Sequence, residues 1–279
     1  MRSHQKRRAR TEVSLLSSSH KILFLTRGRL STQILFGLAV LVLALTGVSP
    51  SRAEPPGGAD RKNQLGLYLW VPGVSGLMTV GGETVPIDIT TGEALEDLNV
   101  GGPLVYVRTP EPWGVLLTTF YVGIDSEFST LVTNRPGTQT LDFFMADAVA
   151  NRRWSFNDDR VGVELLLGLR YWRLEQGFVI ENDPEREDSA DWYDGVLGGR
   201  VTVQMANNWW FIGRLDGATG GSDRTWNTEA MFQWRASRLF SMIFGYRLVS
   251  IEYETDSEAT RFDLDADIGG PSMGFLFSF

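Results

Sequence analysis

The chain has 279 residues, 26 Lys and Arg against 34 Asp and Glu, a net charge of −8, no cysteine, and only two histidines, His4 and His20. The missing cysteines exclude a disulfide framework and any thiolate ligand or nucleophile. An acidic chain without a basic stripe is not a nucleic-acid binder. The N-terminus is basic through Arg29 and is followed by an apolar run over 34–45 and a small-residue site, Ser51-Arg52-Ala53. Charged region, short apolar region and small-residue site together read as a secretory signal peptide, residues 1–53. The apolar run is shorter than the roughly 20 residues of a membrane span. Nine of the 26 basic residues and one of the 34 acidic ones precede Glu54, so the remainder carries 17 against 33, a net −16. That remainder contains no histidine.

Residues 54–63, with Pro55, Pro56, Gly57 and Gly58, form a flexible periplasmic lead-in. From Gln64 onward, alternating runs separated by turn residues predict one all-β domain, 64–279. The strands are expected over 64–75, 102–109, 113–125, 140–155, 161–174, 192–205, 208–218, 225–236, 239–254 and 264–279. Tight links at 109–113, 156–160, 205–208 and 235–238 alternate with longer ones at 76–101, 126–139, 175–191, 219–224 and 255–263. Short turns on one side and long loops on the other predict a transmembrane antiparallel up-and-down β-barrel. Ten strands are expected; eight is the alternative if one hairpin pairs outside the wall. No later stretch is apolar enough for a transmembrane helix.

Several strands show two faces. Val163, Leu165, Leu167, Leu169 and Tyr171 oppose Glu164, Gly168 and Arg170, and Trp226, Thr228, Ala230, Phe232 and Trp234 oppose Asn227, Glu229, Gln233 and Arg235. Apolar-out and charged-in reverses the core of a soluble barrel, where such charges are costly to bury. Strand 140–155 breaks the pattern, because Asp142 and Asp147 have opposite parity, and a bulge is expected there. Trp113, Trp154, Trp192, Tyr193, Trp209, Trp210, Trp226 and Trp234 lie near strand ends, where an interfacial girdle places its rings. The chain closes on Met273, Phe275, Phe277 and Phe279, alternating with small or less bulky residues. This ending resembles the C-terminal signal of Gram-negative barrels. The resemblance implies the bacterial outer membrane as the location, with the barrel assembly machinery, membrane lipid and lipopolysaccharide as partners.

Tyr68-Leu69-Trp70 with Pro72-Gly73, Gly81-Gly82, Trp113-Gly114, Gly198-Gly199-Arg200, Trp209-Trp210, Gly220-Gly221-Ser222-Asp223 and Gly245-Tyr246-Arg247 resemble a proteobacterial family similar to the small OmpA/OmpW-like outer-membrane barrels. The resemblance covers nearly the whole mature chain. It implies the fold and no specific activity. Thr118 departs from it, since such sequences often carry an acid at that place.

Without histidine or cysteine after residue 53, no Ser–His or Cys–His arrangement can be built, and zinc with nitrogen or sulfur ligands is excluded. No two carboxylates are paired by spacing, so the chain reads as non-enzymatic and without a cofactor. The Gly-Gly pairs fit turns and crowded interiors rather than a phosphate loop. The inward faces collect Glu164, Asp194, Asp216 and Glu229 with Arg170, Arg200, Arg214, Arg235 and Arg247. Near-balance predicts a network of ion pairs that plugs the lumen, with Arg200, Arg214 and Arg247 paired to Asp194, Asp216 and Glu229. The alternative is a narrow small-solute channel lined by arginine; a soluble periplasmic binding barrel is a third reading. The acidic stretch 181–191 reads as a solvated loop facing lipopolysaccharide, without the spacing of a Ca²⁺ loop. In 76–101, a hairpin on Gly81-Gly82 precedes Thr90-Thr-Gly-Glu93, which has capping-box spacing. Leu95 and Leu98 are expected to dock a short helix on the external mouth as a plug or gate.

Overall fold

The computed structural model describes residues 63–80, 83–96, 98–101, 104–109, 112–129, 136–180, 186–254 and 262–279. The signal segment, the lead-in before Asn63, Gly81-Gly82 and residues 181–185 lie outside them. The described chain forms β1 (Gln64–Trp70), β2 (Gly73–Val80), β3 (Glu83–Ile89), helix α1 (Thr91–Glu96), β4 (Leu98–Gly101) and β5 (Leu104–Arg108). It continues through β6 (Trp113–Ser129), β7 (Pro136–Phe156), β8 (Val161–Ile180), β9 (Arg186–Ala206), β10 (Trp209–Gly220), β11 (Arg224–Arg235), β12 (Phe240–Glu254) and β13 (Phe262–Ser278).

Every described pairing is antiparallel, and β1 meets β13 from Gln64 opposite Ser278 to Trp70 opposite Ser272, which closes the barrel. β2 continues along β13 in the same register, Gly73 opposite Gly269, so β1 and β2 form one wall strand. β4 and β5 both pair with β6 and form a second. With β6 to β13 the wall has ten strands, not eight. β3 is additional and pairs with β2. The segment 76–101 is therefore mostly strand rather than loop.

The short turns at 156–160, 205–208 and 235–238 form as expected. Asn157, Asp158 and Asp159 take left-handed backbone (φ 53°, 52° and 65°), a conformation these side chains tolerate best after glycine. The opposite ends differ from expectation, because β7, β8 and β9 run 21, 20 and 21 residues. At about 3.3 Å per residue each is roughly 65–70 Å long, far more than an apolar band of about 25 Å requires at a tilt near 40°. They project well beyond the band, and the link after β10, at the end opposite the short turns, is only Gly221–Asp223.

The outer face marks where the band ends. Val163, Leu165, Leu167 and Leu169 are exposed on β8, with Leu167 at 63%. Tyr171 packs against Tyr193 at their upper edge, the rings tilted and their centroids 4.8 Å apart, and the next outward pair is the charged Arg173 opposite Asp191. From Val161, opposite Phe156, to Tyr171 is roughly 33 Å of strand, or about 25 Å of height at that tilt. Trp113, Trp154, Trp209 and Trp234 face outward at the other edge. Trp192 and Trp210 do not; both are buried inside, so the girdle expectation fails for these two.

No bulge occurs in β7. Its register with β6 and β8 is uninterrupted. Below the Tyr171 level, Asp147 points inward and apolar residues outward. Above it Leu141 and Phe143 point inward, and Asp142 lies on the outer side, where Tyr121 Oη donates to its Oδ1 (3.1 Å). The chain inverts its apolar face where it leaves the band, which explains the opposite parities of the two aspartates.

Candidate functional site

The lumen is filled in tiers. At its centre Arg170 lies between two carboxylates, its Nε donating to Asp147 Oδ1 (2.7 Å) and its Nη2 to Asp216 Oδ1 (2.8 Å). Arg214 grips the same two acids, Nε to Asp216 Oδ2 (2.6 Å) and Nη2 to Asp147 Oδ2 (3.0 Å). Asn227 donates to Asp216 Oδ2 (2.9 Å) and accepts from Arg247 Nε (2.9 Å), which ties the third arginine in. Glu229 lies 3.7 Å from Arg214 and 3.5 Å from Arg247. Arg170 is 0% exposed. Charge-assisted bonds of this length are the strong kind, and every acid of this tier faces at least one guanidinium.

Toward the short-turn end, Glu164 gathers three arginines: Arg108 at 2.8 Å, Arg153 at 3.6 Å and Arg200 at 3.9 Å. Asn151 Nδ2 donates to its other oxygen (3.1 Å). Arg235 faces the mouth at this end, its guanidinium 4.0 Å from the Trp210 ring centroid.

Two glycines make room. A Cβ on Gly198 would sit 2.3 Å from Asp216 Cβ, and one on Gly162 would sit 2.3 Å from Arg153 Cζ. Gly198→Leu is expected to lower the urea midpoint of the folded barrel sharply, because the displaced Asp216 loses its arginines. The outward neighbour change Leu197→Ile should leave the midpoint nearly unchanged.

Toward the end opposite the short turns the interior becomes apolar. Trp70, Phe120, Phe143, Trp172 and Trp192 pack in one cluster with Met78, Ile87 and Ile268. Trp70 and Phe120 rings are 4.4 Å apart, and Trp192 stacks on Tyr253 at 4.2 Å. Asp194 sits beside this cluster and does not pair with arginine as expected. It accepts from Trp192 Nε1 (3.2 Å), Gly221 N (3.1 Å), Ser222 N (2.8 Å) and Ser222 Oγ (2.9 Å). Its role is to pin the Gly221–Asp223 turn.

The expected site is therefore brought together in part. Arg170, Arg214, Asp216, Glu229 and Arg247 form the central tier, and Glu164 with Arg200 the lower one; Asp194 and Arg235 serve elsewhere. Asp147, Asn227, Arg108 and Arg153 were missed. Asp147 lay on the strand whose parity was ambiguous, and Arg108 ends a short strand without clear alternation.

The capping box forms: Thr90 N donates to Glu93 Oε2 (2.8 Å), and Glu93 N to Thr90 Oγ1 (3.3 Å). Leu95 does not dock as expected. Leu95 is 61% exposed, and the residue that buries is Ala94. Leu98 is not on the helix but in β4, opposite Ile124. The hydrogen bonds with Thr90 hold the Glu93 carboxyl below its ordinary value of 4.5. A lowered carboxyl stabilises above the unfolded value and loses that contribution as pH falls through the folded one. Amide protection over 91–96, corrected for intrinsic exchange, should fall on acidification below about pH 4.5, and Glu93→Gln should flatten that dependence.

A cavity of about 40 Å³ lies beneath the central tier; Tyr68, Thr118, Arg200, Arg214, Glu229 and Arg247 are among its walls. Among the described residues, no three His, Cys, Asp or Glu side chains are grouped to hold a metal ion.

No family model and no curated protein sequence matches this chain. Among solved structures it is similar to the transport unit of the autotransporter AIDA-I from Escherichia coli, at 8% identity over 88% of this chain and 97% of that one, with a TM-score of 0.45. It is also similar to Ail, the attachment invasion locus protein of Yersinia pestis (10% identity, 78% and 99% covered, TM-score 0.33). A third is a Pseudomonas aeruginosa FadL homologue (7% identity, 80% and 92% covered, TM-score 0.30). These distant likenesses assign no activity.

Proposed function

We propose that this protein is a non-enzymatic integral barrel of the bacterial outer membrane, exported by its N-terminal signal and closed internally by the Arg/carboxylate tiers. The observation that carries this reading is the interlock of Arg170 and Arg214 with Asp147 and Asp216, all of them buried. An ion crossing the lumen would have to break it. The aromatic cluster above it supports the same reading, since an apolar constriction resists wetting. The outward belt of leucine and phenylalanine supports placement in lipid, and the Phe275, Phe277 and Phe279 ending supports recognition by the assembly machinery of that membrane.

The test is conductance in planar bilayers. The purified barrel is expected to show no steps above baseline at 1 M salt (about 3 Å screening length), whereas Asp147→Ala with Asp216→Ala should open steps. Regular steps from the unmodified protein would instead make it a narrow channel.

A further inference from the structure

We infer that the outer wall binds the phosphate of one glycerophospholipid, at a site made by Arg152, Trp113 and Trp154 near the short-turn edge of the apolar band. The inference rests on the reading of this wall as lipid-facing and adds a ligand to it.

On the outward positions of β6 to β9, from the short turns up to Tyr171 and Tyr193, Arg152 is the one charged side chain among the described residues. Its neighbours on the same face of β7, Ala150 and Trp154, are both exposed. Arg152 itself is half-buried, because two rings flank it. Its guanidinium carbon lies 5.0 Å from the Trp113 ring centroid and 5.8 Å from that of Trp154. Both are cation–π distances. Such contacts use the faces of the rings and leave the in-plane N–H donors of the guanidinium free. Among the described residues, no carboxylate forms an ion pair with Arg152, and neither indole N–H meets an acceptor.

A cation left in this state against lipid is costly unless an acceptor reaches it. The arginines of the central tier find aspartates inside the barrel; this one points away from them. The comparison along the same edge is direct. Trp209 and Trp234, paired across β10 and β11, pack ring to ring at 6.5 Å, with Phe244 edge-on to Trp209. Opposite Trp113 the chain places a cation instead.

Position selects the ligand. Trp113 is the first residue of β6 and stands opposite Arg152, so on that side the wall ends there. On the other side β7 continues four residues to Phe156, about 13 Å of strand or roughly 10 Å of height. A long side chain snorkels through part of that distance, and headgroups sink toward the cation through the rest. The group that approaches from this side is a phosphodiester, whose two free oxygens match the guanidinium fork. The indole N–H groups add two donors for the phosphate or for the ester carbonyls beside it.

The experiment uses the protein folded in dodecylmaltoside, a detergent without phosphate. Dimyristoylphosphatidylglycerol, dimyristoylglycerol and inorganic phosphate are titrated in separately, and the Arg152 Nε and the Trp113 and Trp154 indole resonances are followed. The phospholipid should shift all three saturably. The diglyceride, with the same chains and no phosphate, should not, and neither should free phosphate. Trp113→Phe keeps a ring and removes the N–H, and should weaken binding about tenfold, the loss expected of one hydrogen bond to a charged group. Arg152→Gln should abolish the saturable shifts at both indoles. Its unfolding midpoint without phospholipid should stay close to that of the unmodified protein, since no ion pair is removed. The rise of the midpoint that phospholipid gives the unmodified protein should vanish. Equal shifts with inorganic phosphate would make this a site for free anions, and shifts indifferent to Arg152→Gln would make it a plain apolar surface; either would overturn the inference. A fluorophore at position 165 separates the two possible failures. If brominated lipid quenches it, the wall faces lipid and the inference alone falls; if not, the lipid-facing reading falls with it.

Discussion

Replacing Arg170 with methionine is expected to destabilise the barrel by about 3–5 kcal/mol, the scale for removing one partner of a buried ion pair. Asp147 and Asp216 would be left facing each other with Arg214 alone between them, and methionine offers neither a donor. The loss should appear as a lower urea midpoint at unchanged slope, the signature of a stability change alone. Two comparisons give the number its meaning. Arg173→Met, three residues along β8 on the outer wall, removes an arginine whose ion pair with Glu175 is half exposed, and should cost no more than about 1 kcal/mol. The double change Arg170→Met with Asp147→Asn should recover part of the loss, because Arg214 then has a single aspartate to satisfy. A tier of pre-solvated side chains would show neither the large single effect nor the recovery.

The second large effect concerns the outer face. Leu167→Arg puts a cation on the most exposed leucine of the outer face of β8, near the middle of the band. Near mid-bilayer this should cost about 2–4 kcal/mol and reduce membrane-inserted protein accordingly. The inward neighbour Leu166 is fully buried, so a failure there would report packing instead. Ser189→Arg, exposed on β9 beyond the Arg173–Asp191 pair, should be tolerated. Equal loss at both sites would mean that the boundary drawn through Tyr171 and Tyr193 is misplaced.

Much of the architecture was legible because a period of two survives wherever one face meets lipid and the other meets the charged tier. The strands that carry Leu165, Phe232 and Phe275 on their outer faces read correctly for that reason. Strand ends opposite the short turns did not. Beyond Tyr171 both faces carry mixtures, with Trp172, Leu174 and Gln176 inside and Arg173 and Glu175 outside, so the apolar periodicity weakens just where the strands continue. The same inversion hid Asp147. Charge sign alone could not reveal that Asp194 holds a turn, since that depends on Gly221, Ser222 and Trp192 converging on it. Leu95 and Leu98 suggested a docked helical face, yet strand pairing with β6 claims Leu98 and leaves Ala94 to anchor α1.

The face inversion along β8 can be measured directly, because the chain contains no cysteine and each introduced thiol is the only one. Single cysteines at 163 to 175 would be reacted with a charged, water-soluble maleimide in proteoliposomes, and parallel fluorophore-labelled samples quenched with brominated lipid. Positions 163, 165, 167 and 169 should be quenched by lipid and spared by the maleimide. Positions 166, 168 and 170 should be reached by neither, and 173 and 175 should react freely. Rapid maleimide reaction at 166 or 170 would contradict a closed lumen, and rapid reaction at 165 or 167 would contradict the membrane-facing wall itself.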